Sequence, residues 1–183
     1  CRAAEPRATG AAAGSNRVAT ATAAERAGRL AEAAADYEAL LAADSAHAAV
    51  LAPRLVSLYT ALNRPERALA WAHKVMAGRP DPEAYFAGVL AQLGQLKEAE
   101  LLLRSTLRDA SAPLRRVPLL WQLADVQERQ GRREAALQTL LSAHDASQGT
   151  ALQAAAAARL DACRTRPAAT NTHGQVTLSQ EDV

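Results

Sequence analysis

The chain has 183 residues, 22% of them charged and 49% apolar, with 21 Lys and Arg against 19 Asp and Glu for a formal charge of +2. That size fits one globular unit, the small charge makes no case for nucleic-acid binding, and no run of about 18 apolar residues is present to span a bilayer. Alanine makes up about a quarter of the chain while aromatics reach 3%, a mix that suits close-packed helices and starves a β-sandwich.

In chain order, residues 1–14, "CRAAEPRATGAAAG", form a polar and small-residue leader that opens on a cysteine. Residues 15–163 then read as paired helical segments separated by short turns, and the turns share one pattern: Gly or Asn, four residues, then Ala. It occurs as "GRLAEA" (Gly28, Ala33), "NRPERA" (Asn63, Ala68), "GQLKEA" (Gly94, Ala99) and "GRREAA" (Gly131, Ala136). The alanines are 35, 31 and 37 residues apart, and Gly fills three of the four turn slots although the chain holds only nine. Local signals agree with this register. Asn63 is expected to cap a helix with Glu66 at its third position, Asp81 and Pro82 read as N-cap and first helical residue, and Thr150 with Gln153 reads as a capping box. The third unit is about three residues short at its start, and the junction to the fourth, "RDASAPLRRVP", is about three residues long. The last helix, "ALQAAAAARLDAC", has no following partner, and residues 164–183 are polar and aperiodic, as a flexible tail would be.

The spacing resembles the tetratricopeptide repeat, a helix-turn-helix unit of about 34 residues. The second unit matches best, with Leu55, Tyr59, Ala68 and Pro80 at the family's helix-A Leu, helix-A Tyr, helix-B Ala and terminal Pro. Tyr37 takes the helix-B aromatic position of the first unit, and Leu123, Ala136 and Ala143 match in the fourth; the third has Leu90 where the family has Tyr. The resemblance implies an all-α fold: a right-handed α-solenoid of about four units over residues 15–163, closed by a C-terminal capping helix.

A helical solenoid behind a leader that begins with Cys resembles a mature bacterial lipoprotein, in which the first cysteine carries the acyl chains. By that resemblance Cys1 is the lipidation site and residues 1–14 are the tether. The other reading leaves Cys1 as an incidental terminus. Under the first, Cys163 is the one remaining cysteine, expected to serve as a small apolar packing residue.

Catalytic signals are weak. His47, His73, His144 and His173 are scattered with no pair four apart, so no metal site is expected, and neither a nucleophile elbow nor a phosphate-binding glycine loop occurs. The carboxylate pairs Glu98 with Glu100 and Asp125 with Glu128 sit in helical pattern and read as solvated charge. The chain is therefore expected not to be an enzyme and to need no cofactor. Binding is the remaining use. The family's pattern puts Pro53 and Ser57 on the concave face in the second unit, Ala84, Gly88 and Gln92 in the third, and Trp121, Asp125 and Glu128 in the fourth. Trp121 reads equally as a partner anchor or as a residue packed between units, and Trp71 as inter-unit packing. The Lys, Asn and Arg with which chaperone-binding members grip a carboxylate are not at the matching positions.

Together the two resemblances imply a scaffold lipoprotein on the periplasmic face of a bacterial outer membrane, held by acylated Cys1. It would bind protein partners such as a secretin and assist assembly of a type IV or tight-adherence pilus. An exopolysaccharide-export lipoprotein is the near alternative. A soluble peptide-binding module, with Cys1 incidental, and an envelope enzyme are the rivals from other classes.

Overall fold

A computed structural model describes residues 9–165, with side chains from residue 17 on; Cys1 and residues 166–183 lie outside the described residues. Within them the chain is all-α. It runs α1 (Thr9–Arg26), α2 (Leu30–Ala43), a 3-10 turn (Ser45–His47), α3 (Ala48–Ala61), α4 (Pro65–Met76), α5 (Pro82–Gln92), α6 (Leu96–Asp109), α7 (Pro113–Arg129), α8 (Arg133–Ala146) and α9 (Gln153–Thr165). These nine helices of the described residues pack in sequential pairs, α1 on α2, α3 on α4, α5 on α6 and α7 on α8, and each pair packs on the next. Helix α1 begins at Thr9, so part of the stretch expected to be tether is helical.

The four pairs are closed by one turn geometry. Gly28, Asn63, Gly94 and Gly131 all have positive φ, at 76°, 53°, 81° and 77°. Each sits just past the end of its pair's first helix, where a left-handed residue lets the chain reverse while the last carbonyls keep donors. In the second pair the Asn63 N–H donates to the Thr60 carbonyl at 3.0 Å and the Arg64 N–H to the Tyr59 carbonyl at 2.8 Å; Gly94 and Gln95 do the same to Ala91 and Leu90. The fourth residue of the following helix is Ala33, Ala68, Ala99 or Ala136, whose N–H groups donate to the carbonyls of Arg29, Arg64, Gln95 and Arg132 at 3.0–3.1 Å. All four alanines are 0% exposed. A larger side chain there would hold the two helices apart.

Three local expectations are corrected. Asn63 does not cap α4: its left-handed φ places it at the end of α3, Arg64 takes the N-cap position, and Glu66 is the second helical residue rather than the third. Asn is favoured at both kinds of helix end because it tolerates left-handed backbone and accepts hydrogen bonds. The capping box before α9 forms one residue out of register. The Thr150 hydroxyl accepts from the Leu152 N–H at 3.2 Å, while the Gln153 side chain reaches back to the Gly149 N–H at 3.2 Å. The irregular spacing of the third and fourth units is absorbed by helix length instead of by the junction: α5 has 11 residues and α7 has 17, with Pro113 at its start, so most of "RDASAPLRRVP" is helical. Asp81 stands at the N-cap of α5 as expected, but its carboxylate takes the Arg79 guanidinium at 3.3 Å and not a helix N–H.

The core falls into two large clusters. Tyr37, Leu51, Leu55 and Tyr59 centre the one shared by α1–α4, and Leu90, Leu103, Leu119 and Leu123 the one shared by α5–α8. Val56, Ala72 and Val89 bridge them, and Leu140, Leu160 and Cys163 seat α9. Glycine substitutions test the geometry by sign. Gly94→Ala is expected to lower stability by about 1 kcal/mol because φ is left-handed there, whereas Gly88→Ala, inside α5 with open space where a Cβ would go, is expected to raise it by about 0.5–1 kcal/mol. Urea midpoints of the two variants read both signs.

Candidate functional site

The positions expected to meet a partner lie on α3, α5 and α7, the first helices of three successive pairs. Helix α5 contacts both α3 and α7. Pro53 is half-buried and Ser57 exposed one turn on, its hydroxyl donating to the Pro53 carbonyl at 3.3 Å. Ala84, Gly88 and Gln92 form a stripe along α5 that goes from buried to exposed. Small side chains at the first two leave room between α5 and α7, and two clefts result. One, of ≈ 170 Å³, is walled by Ala87, Gly88 and Ala91 on one side and by Gln122, Asp125 and Arg129 on the other. The second, of ≈ 260 Å³, lies toward the helix starts and is bordered by Ala84, Leu114, Pro118 and again Gln122. The structure thus brings Ala84, Gly88 and Asp125 to the clefts, while Pro53, Ser57 and Gln92 line neither of them.

Gln122 and Arg129 were not anticipated. Arg129 stands one helical turn past Asp125, a spacing the sequence displays. Gln122 had no such signal, because its place depends on how α7 is rotated against α5. Its Oε1 is buried and without a hydrogen-bond partner.

Trp121 and Glu128 face a different neighbour, α9, and Asp125 reaches it from the wall of the first cleft. The Trp121 ring is half-buried against both the α5–α8 core and the α9 cluster, with the Arg159 guanidinium 5.0 Å above its centre. Its indole N–H is buried and lacks an acceptor. Arg159 also lies 3.5 Å from the Asp125 carboxylate, and the Cys163 thiol donates to Glu128 Oε1 at 3.0 Å. Arg133 of α8 completes the attachment by donating to the Cys163 carbonyl at 2.9 Å. Cys163 is buried and outside any disulfide. Trp71, by contrast, joins two pairs: its N–H donates to Glu38 of α2 at 3.0 Å and Lys74 lies over its ring.

At the turn edge, Glu100 of α6 receives Arg132 from the start of α8 and, at 2.9 Å, Arg104, while Gln130 donates to the Leu96 carbonyl at 3.1 Å. The Arg132 guanidinium, chiefly, holds the Glu100 carboxyl at about 2, well below its ordinary 4.5. The geometry is a clamp between successive pairs and offers no acid or base near neutrality. No group of three His, Cys, Asp or Glu that could hold a metal occurs among the described residues, and no described helix is long and apolar enough to cross a membrane. No protein-family model matches the chain, and no curated protein matches it.

Glu100 gives a pH prediction. Its folded value is depressed, so the stability it contributes is present above about pH 4.5 and is lost as pH falls toward 2. Glu100→Gln should cost about 2 kcal/mol at pH 7 and nothing below pH 2. Urea titrations of both proteins across that range would read the convergence.

Proposed function

We propose that the protein is a tetratricopeptide-type helical repeat that acts as a membrane-held scaffold, binding a partner protein on the face made by α3, α5 and α7. The observation that carries this reading is the fourfold recurrence of one closure: a left-handed residue, five residues on an alanine with no exposed surface, and a spacing near 34. A pair built this way presents its first helix to the next pair's first helix, so α3, α5 and α7 form a continuous surface and α9 closes the series. The clefts between α5 and α7 then give a partner segment a place of close contact, with Asp125 and Arg129 to fix its register.

The cellular role rests on Cys1 and on resemblance. With Cys1 acylated, the leader and α1 hold the repeat at the periplasmic face of an outer membrane, in the manner of the lipoproteins that assist secretins of type IV or tight-adherence pili. Export of an exopolysaccharide is the second setting for the same scaffold. No catalytic step is assigned, because the strongly perturbed carboxylate, Glu100, is locked in a structural clamp.

Two measurements test this. The N-terminal peptide from native membranes is expected to carry the mass of an acylated Cys1; an unmodified or internal Cys1 removes the envelope setting. Affinity capture from solubilised membranes is expected to recover an envelope-assembly protein, and charged bulk at the exposed positions, Ser57→Arg with Gln92→Arg, is expected to lower that recovery at least tenfold without changing the melting temperature. Undiminished recovery would place the partner on another face.

A further inference from the structure

The residues that resemblance assigned to partner contact in the fourth unit are already in use. Trp121 lies under Arg159, Asp125 pairs with Arg159, and Glu128 takes the Cys163 thiol, so two residues of α9 engage all three. Helix α9 is the last described helix and is packed from one side: it buries Ala156, Leu160 and Cys163, as many residues as α8, and exposes Ala154, Ala155, Ala158 and Ala162. Both partners of the Arg159–Asp125 pair are about half exposed, at 47% and 61%, where ion pairs are weak. The indole N–H of Trp121, the residue that α9 packs on, is buried with no acceptor, and such burial costs free energy. Terminal helices packed from one side open well before the rest of a fold.

We propose that α9 is a removable occupant, and that the α7–α8 surface beneath it is a binding site for an amphipathic helix of a partner protein. The chemistry of that partner is read from α9 itself. It is a helix with a small residue, a Leu four residues on and a small residue three further, as in Ala156, Leu160 and Cys163, with an Arg just before the Leu to lie over Trp121 and meet Asp125. Exchange of α9 for such a helix keeps the Trp121 ring covered in both states, and the partner helix offsets the exposure of Ala156, Leu160 and Cys163 on the displaced α9. This inference rests on the scaffold reading for its biological use, but its physical test does not depend on it.

Cys163 is the built-in reporter, since its thiol is buried only while α9 is seated. In the full chain with Cys1→Ser, thiol labelling under native conditions is expected to run at least tenfold faster than global unfolding and to depend little on urea. Arg159→Ala should speed it further without lowering the unfolding midpoint of the remainder. Labelling that occurs only at the global unfolding rate would overturn the proposal.

The binding half is tested with a fluorescent peptide of residues 150–165 carrying Cys163→Ser. It is expected to bind the full chain bearing Leu160→Asp, whose own helix cannot seat, at least tenfold more tightly than the parent, and Asp125→Arg added to that variant should abolish the gain. Equal binding to all three would contradict the site. Should Leu160→Asp unfold the chain, the labelling experiment on the parent still decides whether α9 opens alone. A seated α9 that never opens would leave membrane capture by the α3, α5 and α7 face intact, and an empty capture would leave the α9 result standing, so the two readings fail separately.

Discussion

Four alanines with no exposed surface set how closely the helices of each pair approach. Ala33, Ala68, Ala99 and Ala136 stand one turn into the second helix of their pairs, and each donates its N–H to the carbonyl four residues back, just after the left-handed residue that reverses the chain. Backbone and side chain make a single constraint there. The left-handed φ turns the second helix back along the first, and the alanine methyl is fully covered where the two meet, so a larger side chain is expected to push them apart. The larger core residues, Tyr37 with Leu55 and Leu103 with Leu123, then pack together between one pair and the next.

Between pairs the constraint is different and more varied. Glu38 gathers Arg67 and Trp71 to join α2 to α4, and Glu100 gathers Arg132 to join α6 to α8. Between α3–α4 and α5, Val56, Ala72 and Val89 with their half-buried neighbours bridge the two large core clusters by apolar contact. The clefts proposed to receive a partner lie beyond this apolar bridge, between α5 and α7.

Much of this was legible in the chain. The turn register could be read because left-handed backbone selects Gly and Asn so strongly that four slots stood out from an alanine-rich background. The same selectivity misled at Asn63, since Asn suits a helix end and a helix start alike. The odd spacings around the third pair were visible, but not that α5 would shorten and α7 lengthen to absorb them, because helix length at fixed composition is settled by what the helix packs against. The clamp at Glu100 was invisible, with its partner 32 residues away and no local pattern to join them. So was the covering of Trp121: a Trp on a helix face gives no sign of whether solvent or a later helix lies over it. Register alone put Gly88 and Asp125 on α5 and α7 where a cleft lies between them, while the place of Gln122 depended on helix rotation.

The account turns on the size limit at the four alanines, and equilibrium unfolding of Ala33→Val, Ala68→Val, Ala99→Val and Ala136→Val beside Ala70→Val tests it most directly. Ala70 lies exposed on α4 and shares the local helical context without the close approach. The expected result is a similar loss of about 1–3 kcal/mol at each of the four, against less than about 1 kcal/mol at Ala70. Four unequal losses, or losses no larger than at Ala70, would mean that the recurring turn does not impose a common helix approach, and the reading of the chain as one repeated unit would fail with it.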